Sequence, residues 1–280
     1  MICFVTDSAS QLSPTLATEW GVAVVPITVT VDGQDYQEGV DLTPAQFWTR
    51  VGGTTLPEIA TSQPSPGQFV DTYQRLADAG AHEIVSVHVG SEVSGTVNAA
   101  RLAAEMVDVT IHVVDSGTAS FGVSVCLWRA VQAVRSGADG STAAHDATAF
   151  APKIGTSFIL QGMDFARAGG RLDDTLPDDV DDVVVLAGYG TALDVVGSGR
   201  TTDAVINALA APFMANDAPV RAAVGLADDA MTELTDRLAA RLESSDQVIE
   251  VLRYRITPSI ASHTGPGTAG GFWWPDSKDS

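Results

Sequence analysis

The stretch Ile84-Val85-Ser86-Val87-His88-Val89, followed by Gly90-Ser91-Glu92-Val93-Ser94-Gly95-Thr96, decides the fold class. Its first six residues form a mainly apolar run of strand length. The glycine- and serine-rich turn and then Ser94, a residue type that often caps helices, predict a strand that leads directly into a helix. Such units build parallel α/β sheets, and the turn after the strand is where these sheets bind ligands.

The residues on either side repeat this alternation. Strand-like apolar runs lie at 2–5, 22–25, 27–31 and 111–114. Helix starts, each with a capping residue before a proline, are Ser13-Pro14, Thr43-Pro44-Ala45-Gln46 and Ser65-Pro66-Gly67-Gln68. A long helix is expected over residues 118–135. Residues 1–152 are therefore predicted to form an α/β lobe around a parallel sheet.

The second half has a different spacing of elements. Strands are predicted at 154–160, 183–187, 193–196, 220–226 and 248–254. Helices are predicted at 201–214 and 228–244, and an aromatic segment, Phe272-Trp273-Trp274, follows near the end. This mixed spacing predicts a second α/β lobe with a mixed sheet over residues 153–280.

The bulk composition excludes several classes of protein. A formal net charge of −20 would repel nucleic acid phosphates and anionic lipid headgroups. No apolar run approaches the roughly 20 residues that span a bilayer, and the first residues lack the basic region of a secretory signal. Cys3 and Cys126 lie in apolar stretches without metal-ligand spacing. We expect a cytoplasmic protein without a metal ion, a nucleic acid partner or an integral membrane segment.

Two segments carry hydroxyl groups next to predicted helix starts. Thr61-Ser62-Gln63-Pro64-Ser65 precedes one helix, and Ser94-Gly95-Thr96 opens another. Hydroxyls and backbone N–H groups at a helix start can hold an anion, and glycine lets a ligand approach the backbone closely. The alternative is that these residues only cap their helices.

A third segment, His263-Thr264-Gly265-Pro266-Gly267, is expected to form a tight turn after a strand. Its histidine can donate to a carboxylate or act as a general base, or it can be structural. The chain has no Gly-x-Ser-x-Gly elbow, which argues against a serine hydrolase. The other four histidines show no metal-ligand spacing.

Two arginines follow glycines in predicted loops: Gly169-Gly170-Arg171 and Ser198-Gly199-Arg200. Each can pair with a nearby aspartate, or it can offer a fork for phosphate recognition or for a protein partner.

Taken in order, these segments resemble the DegV family of bacterial fatty-acid-binding proteins over about residues 2–278. The motifs that carry the resemblance are Val5-Thr6-Asp7-Ser8, Val25-Pro26-Ile27, Asp32-Gly33, Gly39-Val40-Asp41-Leu42-Thr43, Thr61-Ser62-Gln63-Pro64-Ser65, Ser94-Gly95-Thr96, Val114-Asp115-Ser116, Gly169-Gly170-Arg171 and His263-Thr264-Gly265-Pro266-Gly267.

The resemblance implies a long-chain fatty acid, such as palmitate, bound between two α/β lobes as the ligand and no other cofactor. It implies that Thr61 and Ser94 hydrogen-bond the carboxylate, with His263, Ser62 and Gly95 close by. The acyl tail would lie in an apolar tunnel, for which Phe121, Val125 and Phe158 are candidate lining residues.

The resemblance also implies that the chain is not itself an enzyme. A separate ATP-dependent fatty acid kinase would phosphorylate the bound carboxylate, and the acyl phosphate would enter phospholipid synthesis. Arg171 and Arg200 are the candidate contacts for that kinase.

The sequence departs from the family pattern at two places. Val97-Asn98 stands where the family has Tyr-Gln, and the acidic residues 173–190 lack a lysine-proline segment. Two other functions stay open: a hydrolase or acyl-transfer enzyme that uses Ser94 and His263, and a regulatory protein that responds to lipid.

Overall fold

The computed structural model describes residues 1–52, 57–161, 165, 167 and 183–276. The chain divides into two compact units. Unit 1 comprises Met1–Thr43 and Pro57–Pro152, and unit 2 comprises Pro44–Leu56 and Lys153–Ser280. Residues 44–56 therefore differ from the prediction, which places them in the N-terminal lobe. They belong to unit 2 because the indole N–H of Trp48 donates to the carbonyl of Ala227 at 2.6 Å, a contact that periodicity does not reveal.

The strands, in chain order, are β1 (Ile2–Asp7), β2 (Val22–Val25), β3 (Thr28–Val31), β4 (Gln34–Gln37), β5 (Ile59–Ser62), β6 (Glu83–His88), β7 (Thr110–Asp115), β8 (Gly155–Ile159), β9 (Val183–Tyr189), β10 (Ala192–Gly199), β11 (Val220–Leu226), β12 (Val248–Arg255) and β13 (Ala269–Pro275). The helices are α1 (Pro14–Trp20), α2 (Pro44–Val51), α3 (Pro66–Asp78), α4 (Thr96–Ala104), α5 (Phe121–Arg135), α6 (Gly140–Phe150), α7 (Thr202–Met214), α8 (Thr232–Glu243) and α9 (Pro258–Thr264).

Unit 1 is built on a parallel sheet with the strand order β2-β1-β6-β7, as predicted. Ile84 and Val5 on one face pack with Phe69 of α3 and Ala100 of α4. Helices α5 and α6 contact β6 as well, and α6 begins where Gly140 donates its backbone N–H to Glu83. The sheet therefore carries helices on both faces, as buried parallel sheets do.

A second sheet in unit 1, with the order β4-β3-β5, is antiparallel. It is tied to α3 by a hydrogen bond from the Gln68 amide to Gln37 at 3.1 Å. The expected capping box of α3 is present, because Ser65 accepts from the Gln68 backbone while the Gln68 side chain accepts from Ser65 N–H. This box fixes the direction in which residues 61–65 enter the helix.

Unit 2 contains the predicted mixed sheet, with the order β10-β9-β8-β13-β11-β12. Only the β11–β12 pair among these is parallel. Ile159, Val185 and Trp273 share one core cluster with Leu209 of α7 and Leu238 of α8. These two helices therefore cover one face of the sheet.

The structure corrects several expected boundaries. The segment at His263 was expected to be a loop, but residues 258–264 form α9, because Pro258 suits the first helical position and Gly265 ends the helix. Helix α5 begins at Phe121 rather than at residue 118. Strands β4, β5 and β13 and helix α6 were not predicted, since short or glycine-containing strands and an alanine-rich helix give weak periodic patterns.

Candidate functional site

The turn after β6, residues 89–95, lies at the carboxyl end of the parallel sheet. Val89 N–H donates to the Asp7 carboxylate at 3.1 Å, Gly90 N–H donates to Thr118 O at 2.8 Å, and Ser91 N–H donates to Asp115 at 3.1 Å. Asp7 ends β1 and Asp115 ends β7. The two neighbouring strands therefore hold this turn in one position.

Gly90 allows the backbone of residues 117 and 118 to approach closely. A Cβ at this position would lie 3.1 Å from Gly117 C and 3.1 Å from Thr118 N, both backbone atoms that cannot rotate away. Residues 117 and 118, which directly follow the Val114-Asp115-Ser116 motif, therefore pack against the turn.

Asp115 stabilises the turn as an anion. Burial would raise the pKa of Asp115, but hydrogen bonds from Ser91 and from the backbone N–H of Gly117 outweigh burial, so its pKa is lowered. The carboxylate is thus ionised at neutral pH, where it binds both N–H groups.

The start of α4 presents the Ser94 hydroxyl and backbone N–H groups. Gly95 is the N-cap residue and has no side chain to cap the helix. The half-buried Ser94 places its Oγ 2.8 Å from Thr96 Oγ1 and accepts from Thr96 N–H at 3.3 Å. A helix start with a movable hydroxyl beside it suits a carboxylate.

Strand β5 presents the second hydroxyl-bearing segment. Thr61 pairs with Val29 and Ser62 pairs with Thr28 on β3. Thr61 is half-buried and Ser62 is exposed. Both residues lie just before the loop that leads into α3.

Gln63 joins the two segments. A Cβ on Gly95 would collide with the Gln63 side chain, with Cδ only 2.8 Å away. The Gln63 carboxamide therefore lies directly against the start of α4. Unit 1 thus brings the Thr61 and Ser94 segments together, with Gly95 as the point of contact.

His263 belongs to unit 2, where it lies half-buried in the last turn of α9. The following loop is held by Asp228, which accepts from Gly267 N–H at 2.6 Å. Gly267 has a φ of 73°, and a Cβ on it would lie 2.6 Å from Gln161 Oε1. The His263 loop therefore lies against the residues that follow β8.

The opposite face of the unit 2 sheet carries a second apolar cluster. Leu160, Val184 and Leu186 are buried together, and Phe158 packs against them. Successive residues of a strand point to opposite faces, so this cluster lies on the face opposite to α7 and α8. Through Leu160 and Gln161 it continues to the loop after His263.

The remaining predicted residues are distributed as follows. Arg171 lies outside the described residues, as does most of the acidic segment 173–190. Arg200 is exposed directly after β10. Phe121 and Val125 are buried in α5, and Phe158 borders the second apolar cluster. Their assignment to a tunnel stays a prediction.

Several residues that hold the site in place were not predicted from the sequence. Gln63 and Asp228 were not singled out, and His88 was considered only as a metal ligand. A signal for His88 was present, because Ser86 and His88 alternate with apolar residues and so share one face of a buried strand. Among the residues described, no group of three or more His, Cys, Asp or Glu can hold a metal ion. None of the helices described is long and apolar enough to cross a membrane.

Comparisons with known proteins agree with this architecture. The family model described as "Uncharacterised protein, DegV family" matches residues 1–276. A DegV domain-containing protein of Staphylococcus aureus (strain MRSA252) is 30% identical over 276 residues, covering 95% of this chain and 96% of that protein. A DegV domain-containing protein of Streptomyces coelicolor is 30% identical, covering 96% of each.

Solved structures show the same fold. One is a DegV family protein from Thermus thermophilus that was solved for its fatty acid binding. It is 28% identical to this chain with a TM-score of 0.86, and the match covers 98% of this chain and 99% of that one. A stearic acid-binding protein from Eubacterium ventriosum is 22% identical with a TM-score of 0.85, covering 98% of each chain, which shows likeness of fold alone. The chain belongs to the DegV family.

Proposed function

We propose that this chain binds a long-chain fatty acid and holds its carboxylate with Thr61 and Ser94, next to Ser62, Gly95 and His263. The observation that carries this proposal is the contact of Gln63 with Gly95, which brings two hydroxyl-bearing segments together at the start of α4. Hydroxyls and helix N–H groups are the donors that a carboxylate accepts.

The charge of the chain supports a head-group site made of neutral donors. A fatty acid is an anion, and the chain has a net charge of −20. Hydrogen bonds from Thr61, Ser94 and the α4 backbone bind a carboxylate without a cationic side chain, and the positive end of the helix dipole adds to the attraction.

The acyl tail lies, in this proposal, against the second apolar cluster of unit 2. Phe158 and Leu160 are part of that surface. It continues to the loop after His263 through Gln161, so a head group near His263 has an apolar surface beside it. Burial of each methylene would contribute about 0.8 kcal/mol.

The likeness to the Thermus thermophilus protein supports the same ligand class, since it extends over nearly the whole of both chains. The family resemblance extends the proposal to a partner. In that role the chain presents its fatty acid to a fatty acid kinase for phospholipid synthesis, with Arg171 and Arg200 as the contacts, and has no catalytic activity of its own.

The binding proposal is tested by titrating the delipidated protein with palmitate and with oleate. Saturable binding of one molecule per chain is expected, and an absence of binding for both would reject it. The kinase role is tested separately, by adding a bacterial fatty acid kinase and ATP to the loaded protein. Formation of acyl phosphate only when the chain is present supports that role. Turnover of an acyl ester by the chain alone, abolished in His263→Ala, would favour an enzyme instead.

A further inference from the structure

A chain of four buried polar side chains crosses the interior of unit 1. His88 Nδ1 lies 2.9 Å from the Asp7 carboxylate, and His88 Nε2 lies 2.7 Å from Ser86 Oγ. Ser86 Oγ lies 2.8 Å from the Tyr73 hydroxyl. All four residues are 0% exposed. Ordering four polar groups in an apolar interior requires every one to be hydrogen-bonded.

The four groups form one continuous series of donors and acceptors. When the neutral His88 ring carries its proton on Nδ1, the nitrogen that faces the Asp7 carboxylate, Nε2 accepts from Ser86 and the Ser86 hydroxyl accepts from Tyr73. Burial raises the pKa of Tyr73, so its hydroxyl keeps the proton that it donates. Asp7 also accepts from the backbone N–H groups of Ala9 at 3.0 Å and Val89 at 3.1 Å.

The order Asp7, His88, Ser86 resembles the spacing of a hydrolase triad, but its position excludes that role. Ser86 is completely buried, so no ester can reach its Oγ. Its hydroxyl is also enclosed between His88 and Tyr73. A nucleophile must meet its substrate, and this one cannot.

The two ends of the series lead to the two segments of the proposed carboxylate site, which carry Ser94 and Thr61. At one end, Asp7 binds Val89 N–H, the first residue of the turn that carries Ser94. At the other end, Tyr73 belongs to α3, whose start follows Thr61 and Gln63. The Phe69 ring of α3 also packs edge-on against the His88 ring, with centroids 5.0 Å apart.

We propose that Asp7, His88, Ser86 and Tyr73 are positioning residues that fix the Thr61 segment relative to the Ser94 segment, and thereby make the site selective for a carboxylate. This inference rests on the proposed fatty-acid binding. Two hydroxyls recognise a carboxylate only when their separation is held to a fraction of an ångström. An apolar contact surface tolerates more movement, so loss of the series should affect the head group and leave binding of the tail unchanged.

The test compares palmitate with hexadecan-1-ol, which has the same chain length and no carboxylate. Both are measured by displacement of a fluorescent fatty acid from the delipidated full chain. The variants are His88→Asn, which keeps a donor for Asp7 and removes the link to Ser86, and Tyr73→Phe, which removes only the terminal hydroxyl. Tyr73→Phe retains the ring and is the mildest change if His88→Asn does not fold.

The matched control is His112→Asn. His112 also bonds a carboxylate, Glu83, at 3.0 Å, but this pair lies near the amino ends of β6 and β7, away from the head-group turn. Wild-type protein and His112→Asn should both prefer palmitate to the alcohol by the same factor.

His88→Asn should lower the affinity for palmitate by roughly tenfold, equivalent to one misaligned charged hydrogen bond, and leave the affinity for the alcohol unchanged. Tyr73→Phe should also lower the affinity for palmitate, but by a smaller factor. An unchanged ratio of the two affinities in both variants overturns the inference, and so does an equal loss for both ligands. Failure of the wild type to bind palmitate at all rejects instead the proposed function.

Discussion

Substitution of Ser94 by alanine tests the head-group site directly. The Ser94 hydroxyl shares a hydrogen bond with Thr96 Oγ1 at 2.8 Å and accepts another from Thr96 N–H at 3.3 Å. Losing these at a partly exposed helix start should lower the free energy of unfolding by roughly 0.5–1.5 kcal/mol. Loss of a hydrogen bond to a charged carboxylate costs more, roughly 1.5–3 kcal/mol. Palmitate affinity should therefore fall by roughly 10- to 150-fold.

The matched control is Thr96→Val, which removes the same bond between the two hydroxyls from the other side. Valine has nearly the shape of threonine, and it leaves the Ser94 hydroxyl in place. The binding constants are measured by calorimetry, and the free energies of unfolding by urea denaturation of the delipidated proteins. Thr96→Val should keep its affinity for palmitate. If Thr96→Val loses as much affinity as Ser94→Ala, the loss comes from the local bond, and Ser94 is not a ligand contact. Unaltered affinity in Ser94→Ala would remove Ser94 from the site.

Three further predictions concern charge, reactivity and the tail surface. Because hydrogen bonds lower the pKa of Asp115 below its ordinary value of 3.8, its contribution to stability is complete above that pH and is lost as the pH falls through the lowered value. In urea denaturation, the free energy of unfolding of Asp115→Asn should lie below that of the wild type by a constant amount from pH 7 downward, and this difference should shrink only at the acid end, near pH 2. A difference that does not depend on pH would contradict this prediction. Burial raises the pKa of Cys126 to about 12, so an aromatic disulfide reagent at pH 8 should label it only after denaturation, and rapid labelling of Cys126 in the native protein would contradict its burial. Phe158→Ala should weaken palmitate binding by roughly 5- to 30-fold, from about 1–2 kcal/mol of lost apolar contact, and weaken decanoate binding less. Ile159→Ala, on the other face of the same strand, should instead destabilise the fold by roughly 2–5 kcal/mol without changing the preference for chain length, and equal effects of both substitutions on binding would place the tail elsewhere.

The elements that were predictable from the sequence are those with strong local signals. The run 84–89 and the turn after it predicted β6 and α4 because apolar periodicity and helix starts depend on neighbours in the chain. The capping box at Ser65 was predicted for the same reason. The α/β class of both lobes followed from such segments alone.

Elements that depend on distant contacts were not predictable. Trp48 was assigned to the wrong lobe because its partner, the Ala227 carbonyl, is 179 residues away. Strand β13 was not predicted because its glycines give no periodic apolar pattern. The reason for these glycines is a distant contact, since a Cβ on Gly270 would lie against Ser157 and Phe158 of a neighbouring strand. The turn at His263 proved to be a helix because a short helix that begins at proline has too few residues for a periodic pattern.

The candidate site shows the same division. Thr61, Ser62, Ser94, Gly95 and His263 could be named from residue type and family resemblance. Their supports could not, because each acts through the tertiary structure. Asp7 and His88 are 81 residues apart and meet only because β1 and β6 are neighbours in the sheet. Gln63 becomes informative only where it lies on Gly95.

The most direct test of the central claim is the ligand that the protein carries when it is purified. The chain is expressed in bacteria, purified without detergent and denatured, and its organic extract is analysed by mass spectrometry. A long-chain fatty acid close to one equivalent per chain is predicted for the wild type, with a marked reduction in Ser94→Ala. An extract without fatty acid, from protein that also fails to bind added palmitate or oleate, would contradict the account.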